Sequence, residues 1–487
     1  MTLSNPDPNK MKIFWPNPTH LFLFLTLFSS LIATTNSRSA ETSLPASNLD
    51  SAEIFNEKKI QSIHLKFTPE DWKSMEPVNG PRPERGRSRS FLQGPAGGRN
   101  GIAAAFGITY NYVWADIEFG ADSFRGVGVR YKGNGTFLTS RDSLKRSLKI
   151  DMNQFVKGQK LAGMTQFNLH NSVRDPSGMN ESVAYELFRK AGIPAPRTSH
   201  AEVYVTVPEL YNRKYLGLYN LVEDVGSRLT TKKFNVSGGA LLKPVTPNLF
   251  ADLGDDWKNY KQSYDPKSKL SKKEKDRIIE TCKFVSTSDD QKFATGISSY
   301  FDLDNFATYL AMTVWLSDLD GILGPGQNYY LYLHPKTHKF SFIAWDQDQT
   351  FGQFPRGTQA QREGLSINRP WNGRNSFLGK LFASESFKTK YLNAIQTINQ
   401  SVIEIPEIER QVKSLSGMLH EFVEKESKER LQAFNKAVSG KSYPLVMGPG
   451  YREPVETIPL ITFVKARRKS VKDQLSGKSE GATFSGR

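Results

Sequence analysis

Two short runs of apolar and aromatic residues, joined by a polar turn, constrain this 487-residue sequence more than any other feature. The runs cover 328–333 and 340–345, and the residues between them include Pro335, as is usual in a connecting turn. If Leu333 pairs with Phe340 in an antiparallel hairpin, the partner of every other residue in the two strands is fixed. The sequence therefore predicts a two-stranded hairpin with a defined register.

Acidic and amide side chains gather at the open end of this predicted hairpin. The register places Asn328 opposite Trp345 and beside Asp346, with Asp348 two positions further on and Asp320 just upstream. Hard divalent cations take oxygen ligands of this kind, and phosphoryl transfer needs such a cation beside a catalytic carboxylate. Asp and Asn are also common turn and cap residues, so an ordinary capped hairpin is the alternative explanation.

Several other stretches follow the pattern of a known family when their order and spacing are taken together. They lie between Gly126 and Gly352 and comprise the runs 129–135, 145–151, 168–171, 175–177 and 217–223, with the acidic cluster of the hairpin. Together they resemble the CotH family, which is named for a bacterial spore-coat protein and is related to atypical protein kinases. The resemblance implies an α+β, atypical protein-kinase-like two-lobed fold, with a mixed N-terminal β lobe and a largely helical C-terminal lobe.

The resemblance also implies roles for the residues around the hairpin. Asp320 matches the family's aspartate ahead of the asparagine and is expected to orient and deprotonate an acceptor hydroxyl. Asn328 and Asp346 would hold the Mg²⁺ or Mn²⁺ that bridges the phosphates of ATP, with Asp348 as a second ligand or a partner of one. This chain differs from ordinary protein kinases in two motifs. It has no His-Arg-Asp motif, and it has Trp345-Asp346-Gln347-Asp348 in place of Asp-Phe-Gly.

Candidate nucleotide-binding residues come from the first lobe. Lys145 and Lys149 fall on one face of a predicted strand by its period of two, and a lysine there could pair with phosphates. The resemblance favours Lys149. It also points to Glu181, on a helix predicted over 177–191, as the partner of the phosphate-binding lysine. Glu223 would occupy the linker between the lobes, where a kinase fold contacts adenine.

Charge and cysteine content bear on partners. Lysine and arginine outnumber aspartate and glutamate by 65 to 49, which gives a formal charge of +16. Much of the excess lies in a Gly/Pro/Arg-rich stretch at 78–102 and in the C-terminal helix at 465–469. No helix-turn-helix, zinc-finger or RNP signature accompanies it, so we expect no specific nucleic-acid partner. Cys282, the single cysteine, lies among apolar residues at helical spacing and is predicted to be a buried small hydrophobe.

The N-terminus has the pattern of an export signal. Lys10 and Lys12 precede an apolar run at 21–33, and small and polar residues follow it. The run is short for a transmembrane helix, although an uncleaved anchor is the alternative. We therefore expect a protein exported to the periplasm, the cell envelope or the medium, without a stable membrane span after cleavage.

Composition and pattern divide the chain into five segments, with no internal repeat. In order they are a signal peptide and lead-in at 1–40, a strand/helix segment with the Gly/Pro/Arg-rich loop at 41–110, the CotH kinase-like core at 111–358, a helical C-terminal part of the same domain at 359–475, and a disordered tail at 476–487.

The sequence thus predicts an exported CotH-like kinase that transfers the γ-phosphoryl of ATP to Ser or Thr hydroxyls of secreted, envelope or coat proteins. Two alternatives stay open. One is a catalytically silent CotH-like protein with a structural or assembly role, which could keep much of the same pattern. The other is a metal-dependent glycosyltransferase, because Asp318-x-Asp320 resembles the acidic pair that holds the metal of a nucleotide sugar. The lack of an early alternating strand–helix series argues against it.

Overall fold

The computed structural model of the protein describes residues 49–78, 80, 91–446 and 453–484. The apolar run at 21–33, on which the predictions of a signal peptide and of export depend, lies outside the described residues. So does 81–90, the most arginine-rich part of the predicted surface loop. Among the residues that are described, no helix combines the length and apolar character needed to cross a membrane.

The N-terminal lobe is a closed seven-stranded barrel with strand order β1-β2-β3-β4-β5-β7-β6. Its strands are β1 (Ile60–Lys66), β2 (Val113–Phe119), β3 (Asp122–Tyr131), β4 (Leu148–Asp151), β5 (Gln166–His170), β6 (Thr198–Val207) and β7 (Tyr211–Glu223). Burial alternates along β2, where Val113, Ala115, Ile117 and Phe119 all point into the barrel core. This period of two is what the pleat of a half-buried strand requires.

Strand β1 closes the barrel, so the predicted boundary at 110/111 is not a boundary between separate units. It pairs antiparallel with β2 and parallel with β6, from Ile60 beside His200 to Lys66 beside Thr206. The lead segment before 111 therefore belongs to the same core as the strands that follow it. Sequence reasoning missed this because the pairing of β1 with β6 is non-local.

Helices dominate the second lobe, as the sequence predicts. The helices of the described chain are α1 (Ser51–Ile54), α2 (Pro69–Ser74), α3 (Ile102–Ala105), α4 (Gly135–Thr139), α5 (Asn180–Lys190), α6 (Ser227–Phe234), α7 (Lys258–Tyr264), α8 (Lys272–Thr287), α9 (Asp290–Gly296), α10 (Leu303–Trp315), α11 (Gln359–Glu363), α12 (Ser376–Ala383), α13 (Glu385–Thr397), α14 (Ile405–Glu424), α15 (Lys428–Val438) and α16 (Leu460–Leu475). A 3₁₀ turn at Ile297–Ser299 and a π-helical turn at Ile398–Val402 connect some of them.

A small antiparallel sheet is buried in this helical lobe. It has the order β10-β9-β8, formed by β8 (Ala240–Leu242), β9 (Tyr329–Leu333) and β10 (Phe340–Ala344), and a separate two-stranded sheet pairs β11 (Pro444–Leu445) with β12 (Val455–Glu456). Leu333 lies opposite Phe340 and Tyr329 opposite Ala344. The predicted hairpin and its register are confirmed. Every residue of β9 and β10 is buried, so a one-residue slip would change every side-chain contact of the sheet.

Local caps explain where the two helices beside the site begin. The side chain of Asp302 accepts a hydrogen bond from the N–H of Asn305 at 3.1 Å and starts α10. Helix α5 begins at Asn180, three residues later than predicted. The reason is a turn in which Asp175 accepts the N–H groups of Ser177 at 2.9 Å and of Asn180 at 2.8 Å.

Two apolar clusters match the two lobes. One fills the barrel, and the other joins α5 to the helices and the small sheet of the second lobe. The predicted α+β fold, with a mixed β lobe followed by a largely helical lobe, is confirmed. Cys282 is buried in the second cluster, where burial raises its thiol pKa to about 12, so its prediction as a small hydrophobe is also confirmed.

The C-terminal segment corrects the prediction of a disordered tail for residues 476–484. The N–H of Ser366 donates to the carbonyl of Ala482 at 2.8 Å, and the N–H of Ala482 donates to Gly364 at 2.6 Å. Phe484 is buried in the helical core. Polar and small residues made this segment resemble a tail, but backbone pairing with a distant loop orders it. Residues 485–487 lie outside the described chain.

A buried arginine ties α16 to the end of α10. Arg467 is fully buried, and its guanidinium donates to the carbonyl oxygens of Val314 at 3.0 Å, Trp315 at 3.1 Å and Leu365 at 2.6 Å. The last carbonyls of a helix lack partners within the helix, and Arg467 supplies them. It thereby fixes the point from which the chain enters the loop that carries Asp320.

We expect Arg467→Met to lower the free energy of unfolding by about 3–5 kcal/mol, because several buried carbonyls lose a charged donor at once. Urea unfolding followed by circular dichroism measures this. Lys469→Met is the matched control on the same helix, since that side chain is 79% exposed and its loss should change stability by no more than about 0.5 kcal/mol. Similar small changes in both variants would contradict a structural role for Arg467.

Candidate functional site

Two cavities meet at the open end of the hairpin. The first, called here the barrel-side cavity, has a volume of about 390 Å³ and lies between the barrel and the hairpin. The second, the loop-side cavity, has a volume of about 450 Å³ and is bordered by the loop that follows α10. Asn134, Thr136, Asp346 and Asp348 line both of them. The two carboxylates therefore stand at the junction of two separate spaces.

The loop after α10 holds Asp320 in a fixed orientation in the loop-side cavity. One carboxylate oxygen accepts the side-chain N–H of Gln327 and the other accepts that of Asn328, both at 3.0 Å. Burial raises the pKa of Asp320 to about 7, although Arg174 acts in the opposite direction. Asp318, which is buried, accepts the backbone N–H of Asp320 at 3.1 Å. Its role is to shape the loop.

Asp346 follows β10 in a left-handed conformation, with φ of 58°. A non-glycine residue adopts this conformation at an energetic cost, so its surroundings must hold it there. The backbone N–H of Asp346 donates to the hydroxyl of Tyr185 at 2.8 Å. Two positions further on, burial and the charge of Asp346 raise the pKa of Asp348 well above its usual value. Two neighbouring carboxylates of this kind favour the presence of a cation.

A chain of polar contacts crosses the barrel-side cavity. The ammonium of Lys132, at the end of β3, contacts Nε2 of His170, and Nδ1 of His170 lies 2.8 Å from an oxygen of Glu181. Tyr185 donates from its hydroxyl to the other oxygen of Glu181 at 3.1 Å. Glu181 thus lines the cavity, but its direct partner is His170, which in turn contacts Lys132.

Lys145 and Lys149, the two candidates for a phosphate-binding lysine, lie in different surroundings. Lys149 lines the barrel-side cavity, and its ammonium pairs with Asp224 at 2.8 Å. Lys145 lies outside strand β4 and pairs with Glu426 of the helical lobe at 2.6 Å. Lys145 borders neither cavity. Lys149 pairs with Asp224 and not with Glu181, so the expected ion pair between Lys149 and Glu181 is not formed.

Glu223 is placed away from the barrel-side cavity. Its carboxylate forms an ion pair with Arg197 at 2.6 Å and accepts the backbone N–H of the same arginine at 3.2 Å. Asp224, the next residue, lines the cavity in its place. Neighbouring residues of an extended strand point to opposite sides, which explains the exchange. The predicted adenine contact by the Glu223 side chain would require this ion pair to break.

The donor atoms around Asp346 suit a divalent cation. His170, Glu181 and Asp346 each offer one possible ligand atom, and these three atoms lie within 4.8 Å of one another. Asp348 adds a second carboxylate at the junction, and Asn328 can offer its amide oxygen because Asp320 holds its amide nitrogen. Carboxylate, amide and imidazole donors together are compatible with Mg²⁺ and Mn²⁺. The predicted ligands Asn328, Asp346 and Asp348 all border the loop-side cavity.

Sequence reasoning did not assign Lys132, His170, Asp224 or Tyr185 to the site. Lys132 and His170 lie within the runs that carry the family resemblance, so those runs contained the signal. Asp224 lies one residue beyond β7, and burial does not alternate along the end of that strand, so no local pattern indicates it. The Tyr185 contact with Asp346 joins residues far apart in the sequence, and no local pattern indicates it.

Comparison with known proteins supports the resemblance. The family model described as CotH kinase protein matches residues 129–470, which is more than half of the chain. Inner spore coat protein H of Bacillus subtilis (strain 168) is 24% identical over 303 residues, covering 61% of this chain and 77% of that relative.

Two fungal proteins and one solved structure are more distant. Invasin CotH7 of Rhizopus delemar is 26% identical over 207 residues, covering 40% of this chain and 32% of the relative. Spore coat protein homolog 1 of the same fungus is 22% identical over 206 residues, with the same coverage of both chains. A Shewanella oneidensis MR-1 complex of HipA, HipB and operator DNA aligns with a TM-score of 0.29 and 8% identity, over 64% of this chain and 57% of that one. A likeness of that size adds nothing to the assignment.

The buried carboxyl of Asp318 predicts a pH dependence of stability. Burial raises its pKa from 3.8 to about 8, so the folded state holds a proton that the unfolded state has already released. Its contribution to stability is therefore complete below pH 4 and is lost as the pH rises to about 8. We expect Asp318→Asn to flatten the decline in unfolding free energy between pH 5 and 8, measured in urea without divalent cations. Asp304→Asn, at an 81% exposed side chain, is the control that should leave the decline unchanged.

Proposed function

The chain belongs to the CotH kinase protein family, and we propose that it transfers the γ-phosphoryl of ATP to a Ser or Thr hydroxyl of an exported protein. The observation that carries the proposal is the position of Asp346 and Asp348 between two cavities. One cavity is rich in lysines and the other contains Asp320. A phosphoryl group that passes from one bound molecule to another needs such a junction.

The nucleotide occupies the barrel-side cavity in this proposal. Lys132 and Lys149 extend from the barrel and provide positive charge for the phosphates, with Glu181 setting the position of Lys132 through His170. The residues directly after β7, beginning with Asp224, lie next to the adenine in this proposal, in place of Glu223. A Mg²⁺ or Mn²⁺ ion held by Asp346, with Asp348 and Asn328, would neutralise phosphate charge.

The acceptor hydroxyl enters the loop-side cavity. Asp320 accepts its proton while the hydroxyl oxygen forms a bond to the γ-phosphorus, and the bond from that phosphorus to the bridging oxygen of ADP breaks. A general base is most effective when its pKa lies near the working pH, and burial brings Asp320 to about 7. Gln327 and Asn328 hold both oxygens of the carboxylate, so the base is oriented before the acceptor arrives.

The names of the relatives and the N-terminal pattern support export and a class of acceptor as part of this proposal. The relatives are described as a spore coat protein, a spore coat protein homolog and an invasin, names that suit proteins of a coat or a cell surface. The apolar run at 21–33 adds the pattern of an export signal. We therefore propose acceptors among secreted, envelope or coat proteins.

A catalytically silent assembly protein is the second candidate, because the relatives are named for coats and not for a reaction. The glycosyltransferase alternative is the weakest of the three candidates. It required Asp318 and Asp320 to face one cation together, whereas Asp318 is buried and lines neither cavity. A thermal-shift panel of ATP, ADP, UDP and UDP-sugars, with Mg²⁺ or Mn²⁺, separates the candidates. Stabilisation by ATP together with phosphate transfer from labelled ATP supports the kinase, and stabilisation without transfer supports the silent protein.

The roles of Asp320 and Asp346 can be separated by substitution. Asp320→Asn should leave metal-dependent ATP binding intact and lower turnover by about 10²–10⁴-fold, the usual contribution of a positioned general base. Asp346→Ala should remove metal-dependent ATP affinity and activity together. Calorimetry with Mn²⁺ and a phosphate-transfer assay measure both. Equal losses of affinity in the two variants would show that Asp320 is a metal ligand and not the base.

The two lysine candidates can be distinguished in the same way. Lys149→Met should weaken ATP binding by at least about tenfold, because a charged contact to phosphate is lost. Lys145→Met should leave ATP affinity unchanged and lower the melting temperature, because Glu426 of the helical lobe loses its closest cation and keeps only the longer contact with Arg430. A loss of affinity in the Lys145 variant alone would reverse the assignment.

A further inference from the structure

One lysine of the barrel-side cavity comes from the helical lobe and has no acidic partner. Lys243 follows β8, and its backbone N–H donates to the carbonyls of Tyr264 at 3.1 Å and Asp265 at 3.2 Å. These bonds and the following Pro244 fix its main chain. The side chain lines the barrel-side cavity together with residues of the barrel.

Aromatic rings hold the ammonium group of Lys243. The nitrogen lies 5.1 Å from the centre of the Trp345 ring and 5.5 Å from that of Tyr330. Lys132 approaches the same Trp345 ring from the barrel lobe, at 5.0 Å. Lysines from both lobes therefore converge on the residue that precedes Asp346, at the end of the barrel-side cavity where it meets the loop-side cavity.

The other lysines of the cavity have polar partners. Lys149 pairs with Asp224 at 2.8 Å, Lys267 pairs with Asp265 at 2.6 Å, and Lys132 contacts His170. Within the described part of the chain, the ammonium of Lys243 makes no ion pair within 4 Å. Burial lowers its pKa to about 7, although the charge of Asp346 acts in the opposite direction. A half-buried cation held only by ring faces lacks the anion that would stabilise its charge.

We propose that Lys243 binds the terminal phosphates of a nucleoside triphosphate and makes the site selective for triphosphates over monophosphates. This inference rests on the proposed function, since it concerns the nucleotide of that reaction. The position over Trp345 places the charge beside Asp346, at the junction where the phosphoryl group leaves the nucleotide. Lys149, by contrast, is bound to Asp224 at the start of the linker after β7. The missing anion of Lys243 is thus supplied by the ligand, which then contacts both lobes.

The test is a comparison of ATP, ADP and AMP binding by calorimetry on the full chain with Mn²⁺. We expect Lys243→Met to weaken ATP binding by about 10- to 100-fold and AMP binding by less than about threefold. Lys243→Arg keeps the charge over the rings and should stay within about fivefold of the unchanged protein for ATP. Lys145→Met is the control, because that lysine borders neither cavity, and all three affinities should be preserved.

Thermal unfolding without nucleotide separates a binding role from a structural one. If the role of Lys243 is to bind a ligand anion, Lys243→Met should melt at the same temperature as the unchanged protein or higher, because a half-buried charge without an acidic partner is removed. A clear fall in melting temperature, or equal losses for ATP and AMP, would overturn the inference. So would an unchanged preference for ATP in Lys243→Met, which leaves the proposed function standing. Absence of nucleotide binding by the unchanged protein would overturn both.

Discussion

The hydroxyl of Tyr185 is the contact on which the geometry of the site depends. It donates to Glu181 and accepts from the backbone of Asp346, so one buried group joins helix α5 to the end of the hairpin. Asp346 has a left-handed backbone conformation, and without this acceptor its backbone N–H would lose its hydrogen-bond partner. The start of α5 is in turn fixed by Asp175, whose carbonyl and side chain contact Arg430 and the first turn. The helical lobe thereby sets the position of a residue that faces both cavities.

Local patterns predicted the parts of the structure that local physics determines. The hairpin register followed from two apolar runs and a turn, because a buried sheet allows only one alignment of its side chains. The cap at Asp302 and the glycine at Gly192, with φ of 83° after α5, are likewise set by the local chemistry of helix ends. The acidic cluster at Asp320 and Asp346 was visible for the same reason, since its members lie at the ends of predictable elements.

Pairings between distant segments were not accessible in this way. Strand β1 reads as an isolated alternating run, and nothing local indicates that it joins β6 to close a barrel. The exchange of Glu223 for Asp224 at the cavity depends on which side of β7 faces inward, and one residue reverses the answer. The ordered segment around Ala482 depends on the carbonyls and amides of a loop more than a hundred positions earlier. In each case the deciding partner is remote in sequence.

The fully buried Arg467 and the half-buried Lys243 are two cations that the fold surrounds in opposite ways. Arg467 is surrounded by carbonyl oxygens at the end of α10, and those oxygens need its donors as much as it needs them. That arrangement is complete and serves stability. Lys243 lies over two aromatic rings without an acid, in a cavity that opens beside Asp346. A charged group with all its hydrogen-bond partners stabilises the fold. A charged group without a partner lowers stability, and a site for a ligand is where such a loss is expected. Charged side chains that lack an oppositely charged partner therefore indicate the site better than the number of charged residues does.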